Sequence, residues 1–129
     1  MTTSNDQPIT DQVRFTIWPT TDTSGIVTDT DDALYYLLPT LGPTATLVLH
    51  RVARHLRYTP DVTFDTAELA AQFGVGPQQL RSSLRRLEMF GAIRSSGDRY
   101  DVRPAKQLTR KMREHLPASL QAECPYEAK

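Results

Sequence analysis

The strongest constraint in this sequence is a leucine stripe held between two helix-breaking signals. Leu80, Leu84 and Leu87 recur at i, i+4 and i+7, and Gly91 continues the same row. That period belongs to an amphipathic helix with one buried face. Pro77 stands where a helix takes its first residue, and Gly91 stands where one ends. The spacing predicts a helix over 77–90. Its outward face carries Gln78, Ser82, Arg85 and Met89 at the centre, with Gln79, Arg81 and Arg86 to the sides.

The flanking residues extend the pattern. Asp65 or Thr66 is placed to cap a short helix over 66–73, with Glu68 three residues after Asp65 in capping-box position. Gly74-Val75-Gly76 then forms a turn. Gly74 suits the left-handed position that closes a helix, and Val75 is expected as a buried plug. The small side chains of Ala70 and Ala71 would let this helix approach the next one closely. Downstream, Ala92–Ser95 and Arg99–Arg103 read as two strands around Ser96-Gly97-Asp98, a hairpin. Upstream, Pro43 opens a helix over 43–57 with an apolar stripe of Leu47, Val48, Val52 and Leu56, and Tyr58–Thr63 reads as a loop. Three helices followed by a hairpin predict a mainly α (α+β) fold, a winged helix-turn-helix over 43–103.

The remaining chain divides into an arm, 1–42, and a helical extension, 104–129. Residues 1–11 are polar and read as frayed. A strand over 12–18 alternates Val13, Phe15 and Ile17 with Arg14 and Thr16. A loop covers 19–30, and Asp31 or Asp32 caps a short helix over 32–38 before Pro39. Pro104 is expected to open a basic helix reaching His115, and Pro117 a last helix over 117–124. The arm carries Phe15, Ile17, Trp18, Leu34, Tyr35, Tyr36 and Leu37, too apolar a set to stand in water. It is expected to pack on the domain and to build a homodimer, together with or in place of the C-terminal helices. Two other roles stay open: the arm caps its own core, or its aspartates shield a basic face until DNA displaces them.

Charge supplies the functional expectation. The chain is neutral overall, with 15 Lys or Arg against 15 Asp or Glu. The balance is uneven, however. Residues 1–42 hold six Asp and one Arg, whereas residues 77–113 hold ten Lys or Arg and three acidic residues. A basic segment inside a neutral protein is the footprint of a polyanion partner. On the 77–90 helix, Gln78, Gln79, Ser82 and Arg85 are the candidates for base edges in a major groove, because Arg pairs with guanine and Gln with adenine through two bonds each. Arg81 and Arg86 are placed to grip phosphates. At the hairpin, Arg99 is expected to reach a minor groove or backbone, with Arg94 and Arg103 adding charge. Lys106, Arg110, Lys111 and Arg113 would extend the positive surface. These residues predict a double-stranded DNA binder, a bacterial transcription regulator associated with the nucleoid. The alternative is a winged-helix module that binds another protein in a regulatory complex.

Other function classes find little in the sequence. The single cysteine, Cys124, has no partner for an internal disulfide, which fits a cytoplasmic protein. No apolar run approaches the ~20 residues that span a bilayer. His50, His55 and His115 fall on separate predicted elements, so no metal site is expected. Ser82-Ser83 lacks the Gly-x-Ser-x-Gly elbow, and no phosphate loop or dinucleotide fingerprint is present. The expectation is a protein without catalytic residues or cofactor.

Two resemblances accompany this reading. Phe73-Gly74-Val75, Leu80-Arg81 and Leu84-Arg85-Arg86-Leu87-Glu88 resemble the helix-turn-helix core of GntR-type regulators over about forty residues, departing at Gly76 where that pattern favours Ser. The blocks 27–54, 73–94 and 115–123 are similar to a family of small actinobacterial winged-helix proteins. The segments that carry this are Leu38-Pro39-Thr40-Leu41-Gly42-Pro43-Thr44 and Arg86-Leu87-Glu88-Met89-Phe90-Gly91. Both resemblances imply a winged-helix fold and DNA binding, and neither implies an operator or a set of regulated genes.

Overall fold

A computed structural model describes residues 11–20 and 24–128. Asp6, Asp22 and the polar residues 1–10 lie outside the described residues. In chain order the elements are β1 (Gln12–Ile17), β2 (Ile26–Val27), α1 (Asp31–Tyr36), α2 (Leu38–Leu41), α3 (Pro43–Tyr58) and β3 (Asp61–Asp65). There follow α4 (Thr66–Gln72), α5 (Pro77–Met89), β4 (Ile93–Ser96), β5 (Arg99–Val102), β6 (Ala105–Lys106), α6 (Arg110–His115) and α7 (Ala118–Glu123). The architecture is mixed helix and sheet, as an α+β chain should be.

The helices follow local chemistry closely. Pro43 and Pro77 each begin a helix, where a missing N–H costs nothing. Asp65 caps α4, its carboxylate accepting the Glu68 backbone N–H at 3.1 Å. Gly74 follows α4 with φ +72°, a backbone that side chains with a Cβ rarely adopt. Leu80, Leu84 and Leu87 are buried as their spacing requires. Val75 is only half-buried, because its backbone N–H, bonded to Ala70 O at 3.1 Å, does the anchoring at the turn. On α3 the buried stripe is Ala45, Val48, Leu49, Val52 and Leu56, and the expected Leu47 is exposed. A stripe read from large residues alone passes over Ala45 and so sits rotated on the helix.

The sheet departs from expectation. Its four strands run in the order β3-β1-β5-β4. β1 pairs antiparallel with β3, setting Val13 opposite Phe64, and parallel with β5, setting Phe15 opposite Tyr100. The predicted arm strand is therefore an inner strand, with residues 12–16 paired to β3 and residues 15–17 to β5. The loop expected over 58–63 contains most of β3 instead. Asp61-Val62-Thr63-Phe64-Asp65 does alternate, but Pro60 and the two aspartates read as a loop until β1 offers its backbone as a ladder. Phe15 then sits between Phe64 and Tyr100, with ring centroids 6.1 Å and 5.8 Å away.

A second, two-stranded sheet joins β2 to β6, and it overturns the basic helix expected from Pro104. Residues 104–106 are committed to the β2 segment: Thr28 N donates to Pro104 O at 3.0 Å, and Thr28 Oγ1 donates to Arg103 O at 2.9 Å. Helix begins only at Arg110, where Thr109 Oγ1 accepts Met112 N at 3.1 Å. Lys106 is buried, its Nζ donating to Gln107 O at 2.7 Å, so it does not extend a positive surface. The core lies between the four-stranded sheet and the helices, with Phe15, Leu49, Leu69, Leu80, Leu87 and Ile93 fully buried.

Gly25 allows this second sheet to form. Its φ is +101°, and a Cβ there would stand 2.6 Å from Lys106 O and 2.8 Å from Gln107 Cα, both backbone atoms. Gly25→Ala combines a disfavoured backbone with a clash that no rotamer relieves. It is expected to cost about 3 kcal/mol in denaturant unfolding, whereas Ala53→Gly on α3 is expected to cost about 1 kcal/mol.

Candidate nucleic-acid interface

The outward face of α5 is as the leucine spacing requires. Gln78, Gln79, Arg81, Ser82, Arg85, Arg86 and Met89 are all exposed, and Met89 is 75% exposed despite its apolar side chain. Ser83, between Ser82 and Leu84, is buried. The α5 N-cap is Gly76, which offers no side-chain bond, so the N–H groups of the first turn keep their partial positive charge. An open groove of about 470 Å³ runs between α5 and the start of α3. Gln79, Ser82, Arg85 and Arg86 line one side, and Gly42, Pro43 and Thr44 the other. Across it Gln79 Nε2 donates to Thr44 Oγ1 at 3.4 Å.

The arginines of the predicted site separate into free and committed groups. Arg85 is exposed and has no carboxylate partner among the described residues; its Nη2 donates to Ser82 Oγ at 3.1 Å, one turn back on the same helix. Gln78 is likewise exposed at the leading end of the row. Arg81, by contrast, is paired with Asp11 at 2.7 Å, and Asp11 O also accepts the first N–H of α4, from Thr66. Among the described residues, Asp11 is the acidic side chain of the arm that pairs with α5. Arg86 is a tie rather than a free cation. Its Nη2 donates to Thr40 O at 2.6 Å, and its guanidinium lies 5.4 Å from the Phe90 ring centroid.

At the hairpin the cations turn inward to one carboxylate. Asp101 is 1% exposed, and it accepts from Arg94 Nε at 2.9 Å, Arg99 Nε at 3.2 Å and Thr16 Oγ1 at 2.7 Å. Arg99 also donates to Thr16 Oγ1 at 3.2 Å. The expected reach of Arg99 from the hairpin tip is thus replaced by a brace between β5 and β1, since a buried carboxylate must be paired. Burial pushes the Asp101 carboxyl up, but the bonds from Thr16, Arg94 and Arg99 together outweigh it and hold the group below its ordinary value of 3.8. Sequence carried a signal for part of this: a hairpin turning at Gly97-Asp98 sets Arg94 directly opposite Asp101. Trp18, assigned to the apolar arm, has two guanidiniums over its ring, Arg94 at 4.4 Å and Arg103 at 4.1 Å. No local pattern announces that stack, because Trp18 reaches it only through β1.

No family model and no curated protein matches the chain. The fold has a solved counterpart. A structure of the primosome protein DnaB, residues 1–300, from Geobacillus stearothermophilus is similar at a TM-score of 0.56 with 14% identity. The match covers 86% of this chain and 48% of the other, so the present chain spans about half of that structure. The likeness is one of fold. Among the described residues, no helix is long and apolar enough to cross a membrane, and no group of three or more His, Cys, Asp or Glu is placed to hold a metal ion.

Two expectations follow from the split among the arginines. Arg86→Gln breaks the tie to Thr40 and is expected to lower stability by about 1 kcal/mol, whereas Arg85→Gln should stay within about 0.5 kcal/mol of the parent in the same urea series. For Asp101 the folded value is depressed, so its stabilisation is complete above pH 3.8 and fades as pH falls through and below that value. Asp101→Ala should therefore cost about 2 kcal/mol at pH 7, less than for a fully buried pair because both arginines keep one side in water. In acid titrations followed by circular dichroism, the gap between variant and parent should narrow below pH 3.8.

Proposed function

We propose that this chain is a winged helix-turn-helix protein that binds double-stranded DNA, with α5 entering the major groove and the β4–β5 hairpin lying along the adjacent backbone. Arg85 carries the reading. It is an exposed guanidinium with no carboxylate partner among the described residues, steadied by Ser82 and centred in a row that starts with Gln78. Arg and Gln in that row match the bidentate geometry of guanine and adenine edges. The uncapped first turn of α5 favours a nearby phosphate. In this reading Arg81, Arg86, Arg94 and Arg99 position the reading helix and hairpin, and they contribute charge to the face only as members of pairs or ties. A role in transcription regulation, as the GntR-type resemblance suggests, belongs to the same proposal.

A second reading has its own support. Most cations of the predicted site are already matched inside the molecule, and Met89 leaves a large apolar side chain in water. An exposed apolar residue beside polar ones suits a protein partner, and the solved structure of similar fold is described as a primosome protein. In that reading the α5 face docks another protein of a nucleic-acid assembly.

Gel shifts with genomic fragments at two salt concentrations separate the two. The DNA reading expects retardation that weakens steeply as salt rises. Arg85→Ala should cost about 1–3 kcal/mol on a preferred fragment if it reads a base. An equal loss on every fragment, with a salt slope shallower by about one, would make it a phosphate contact. No retardation of any duplex at low salt would sink the DNA reading and leave the protein-docking one.

A further inference from the structure

The four-stranded sheet has two faces, and Phe15, Tyr100 and Val102 turn one of them to the core. The register sets the residues between them in a row across the other face. Asp61 lies beside Thr16, Thr16 beside Asp101, and Asp101 beside Arg94. Side-chain bonds join Thr16, Asp101 and Arg94 along that row, and strand alternation places Arg14, Trp18, Arg99 and Arg103 on the same face. The face is open: the side chains of Arg14, Asp61 and Arg94 are 39%, 46% and 46% exposed. It looks away from the core on the side opposite the helices, so it is a surface distinct from the outward face of α5.

Charge is uneven along this face. At one end Arg14 is answered by Asp61 at 2.6 Å and stands 3.7 Å from Asp98. At the other end three guanidiniums, of Arg94, Arg99 and Arg103, meet one buried carboxylate, Asp101. Each of the three makes its hydrogen bonds through Nε alone: Arg94 to Asp101, Arg99 to Asp101 and Thr16, and Arg103 to Gly91 O at 2.8 Å. Their Nη donors have no hydrogen-bond partner among the described residues. A guanidinium fixed at Nε and open at Nη is preorganised for an anion, because its side chain is ordered before the anion arrives. Arg94 and Arg103 also lie over the ring of Trp18, which is half-buried. Bases of unpaired strands stack on aromatic rings and on guanidinium planes, and this end of the face holds both. A sheet surface cannot enter a duplex groove as a helix does, whereas a flexible single strand can lie across it.

We propose that the outer sheet face around Trp18 binds single-stranded nucleic acid, its phosphates held by the Nη groups of Arg94, Arg99 and Arg103 and a base lying against Trp18 and the guanidiniums over it. Asp101 is a positioning residue in this site: it touches no ligand and aims two of the three guanidiniums. The site is independent of the duplex reading of α5, and either holds without the other.

Trp18 is the single tryptophan of the chain and reports on the site directly. The test titrates the full chain with a thymidine oligonucleotide of about 16 nucleotides, followed by Trp18 emission and by the anisotropy of a label on the strand. Both signals should saturate together at low salt. The logarithm of affinity should fall with that of salt at a slope of about −2, as roughly three phosphate contacts require. A methylphosphonate strand of the same sequence carries no backbone charge and should bind at least about ten-fold more weakly. An unlabelled duplex of equal length and concentration should not displace the strand. Arg103→Gln should weaken strand binding about ten-fold by anisotropy, the worth of one charge-assisted bond, whereas Arg54→Gln, which removes the same charge from α3, should leave it unchanged. No saturable signal from the strand, equal binding of charged and neutral strands, displacement by duplex, or equal losses in the two variants would overturn the proposal. If Arg103→Gln fails to fold, the comparison of charged and neutral strands on the parent protein decides.

Discussion

The structure depends on β1 lying between β3 and β5. Through β1 the strand before α4 and the strands after α5 belong to one sheet, so both ends of the helix pair are held by the same ladder. The bonds are backbone bonds, and what makes them worth forming is the apolar stack of Phe15 with Phe64 and Tyr100 beneath them. Parallel pairing of β1 with β5 also places Thr16 beside Asp101 and Trp18 beside Val102. The orientation of the hairpin relative to α5 is therefore set by a strand that is remote in sequence from both.

Charge follows the same geometry. The stretch 77–113 is strongly basic as a string of letters, but among the described residues three of its ten cations are paired with carboxylates, one of them from outside the stretch. Arg81 finds Asp11, and Arg94 and Arg99 share Asp101. On the arm side, Asp29 is answered by Arg54 and Arg57 and Asp61 by Arg14. Free positive surface narrows to a few groups, of which Arg85 is the one centred on a helix face with a groove beside it. That narrowing makes Arg85 informative, because Arg81 and Arg86 beside it, though exposed as well, are spent on Asp11 and Thr40.

The elements that were legible in sequence are those whose cause is local. A proline at the first position, an aspartate three residues before a free N–H, a glycine at positive φ and a leucine every third or fourth residue act over a single turn. They placed α3, α4, α5 and the β4–β5 hairpin to within a few residues, and they turned Gln78, Ser82, Arg85 and Met89 outward. The two short strands β2 and β6 and the strand β3 were not legible. Two residues carry no periodicity, and the alternation of β3 is masked by Pro60 and flanking aspartates. Their partners lie tens of residues away, so nothing nearby marks them.

By itself, then, the sequence determined where α3, α4 and α5 lie and which face of α5 meets the core, because hydrogen bonds and side-chain burial repeat every turn. Tertiary structure alone decided that β1 is an inner strand, that Lys106 is buried, and which arginines are spent on Asp11, Thr40 and Asp101. The physical reason is one of range. Helix geometry is settled within four residues, whereas the partner of a strand edge or a buried charge is whichever group the folded chain brings within hydrogen-bonding distance.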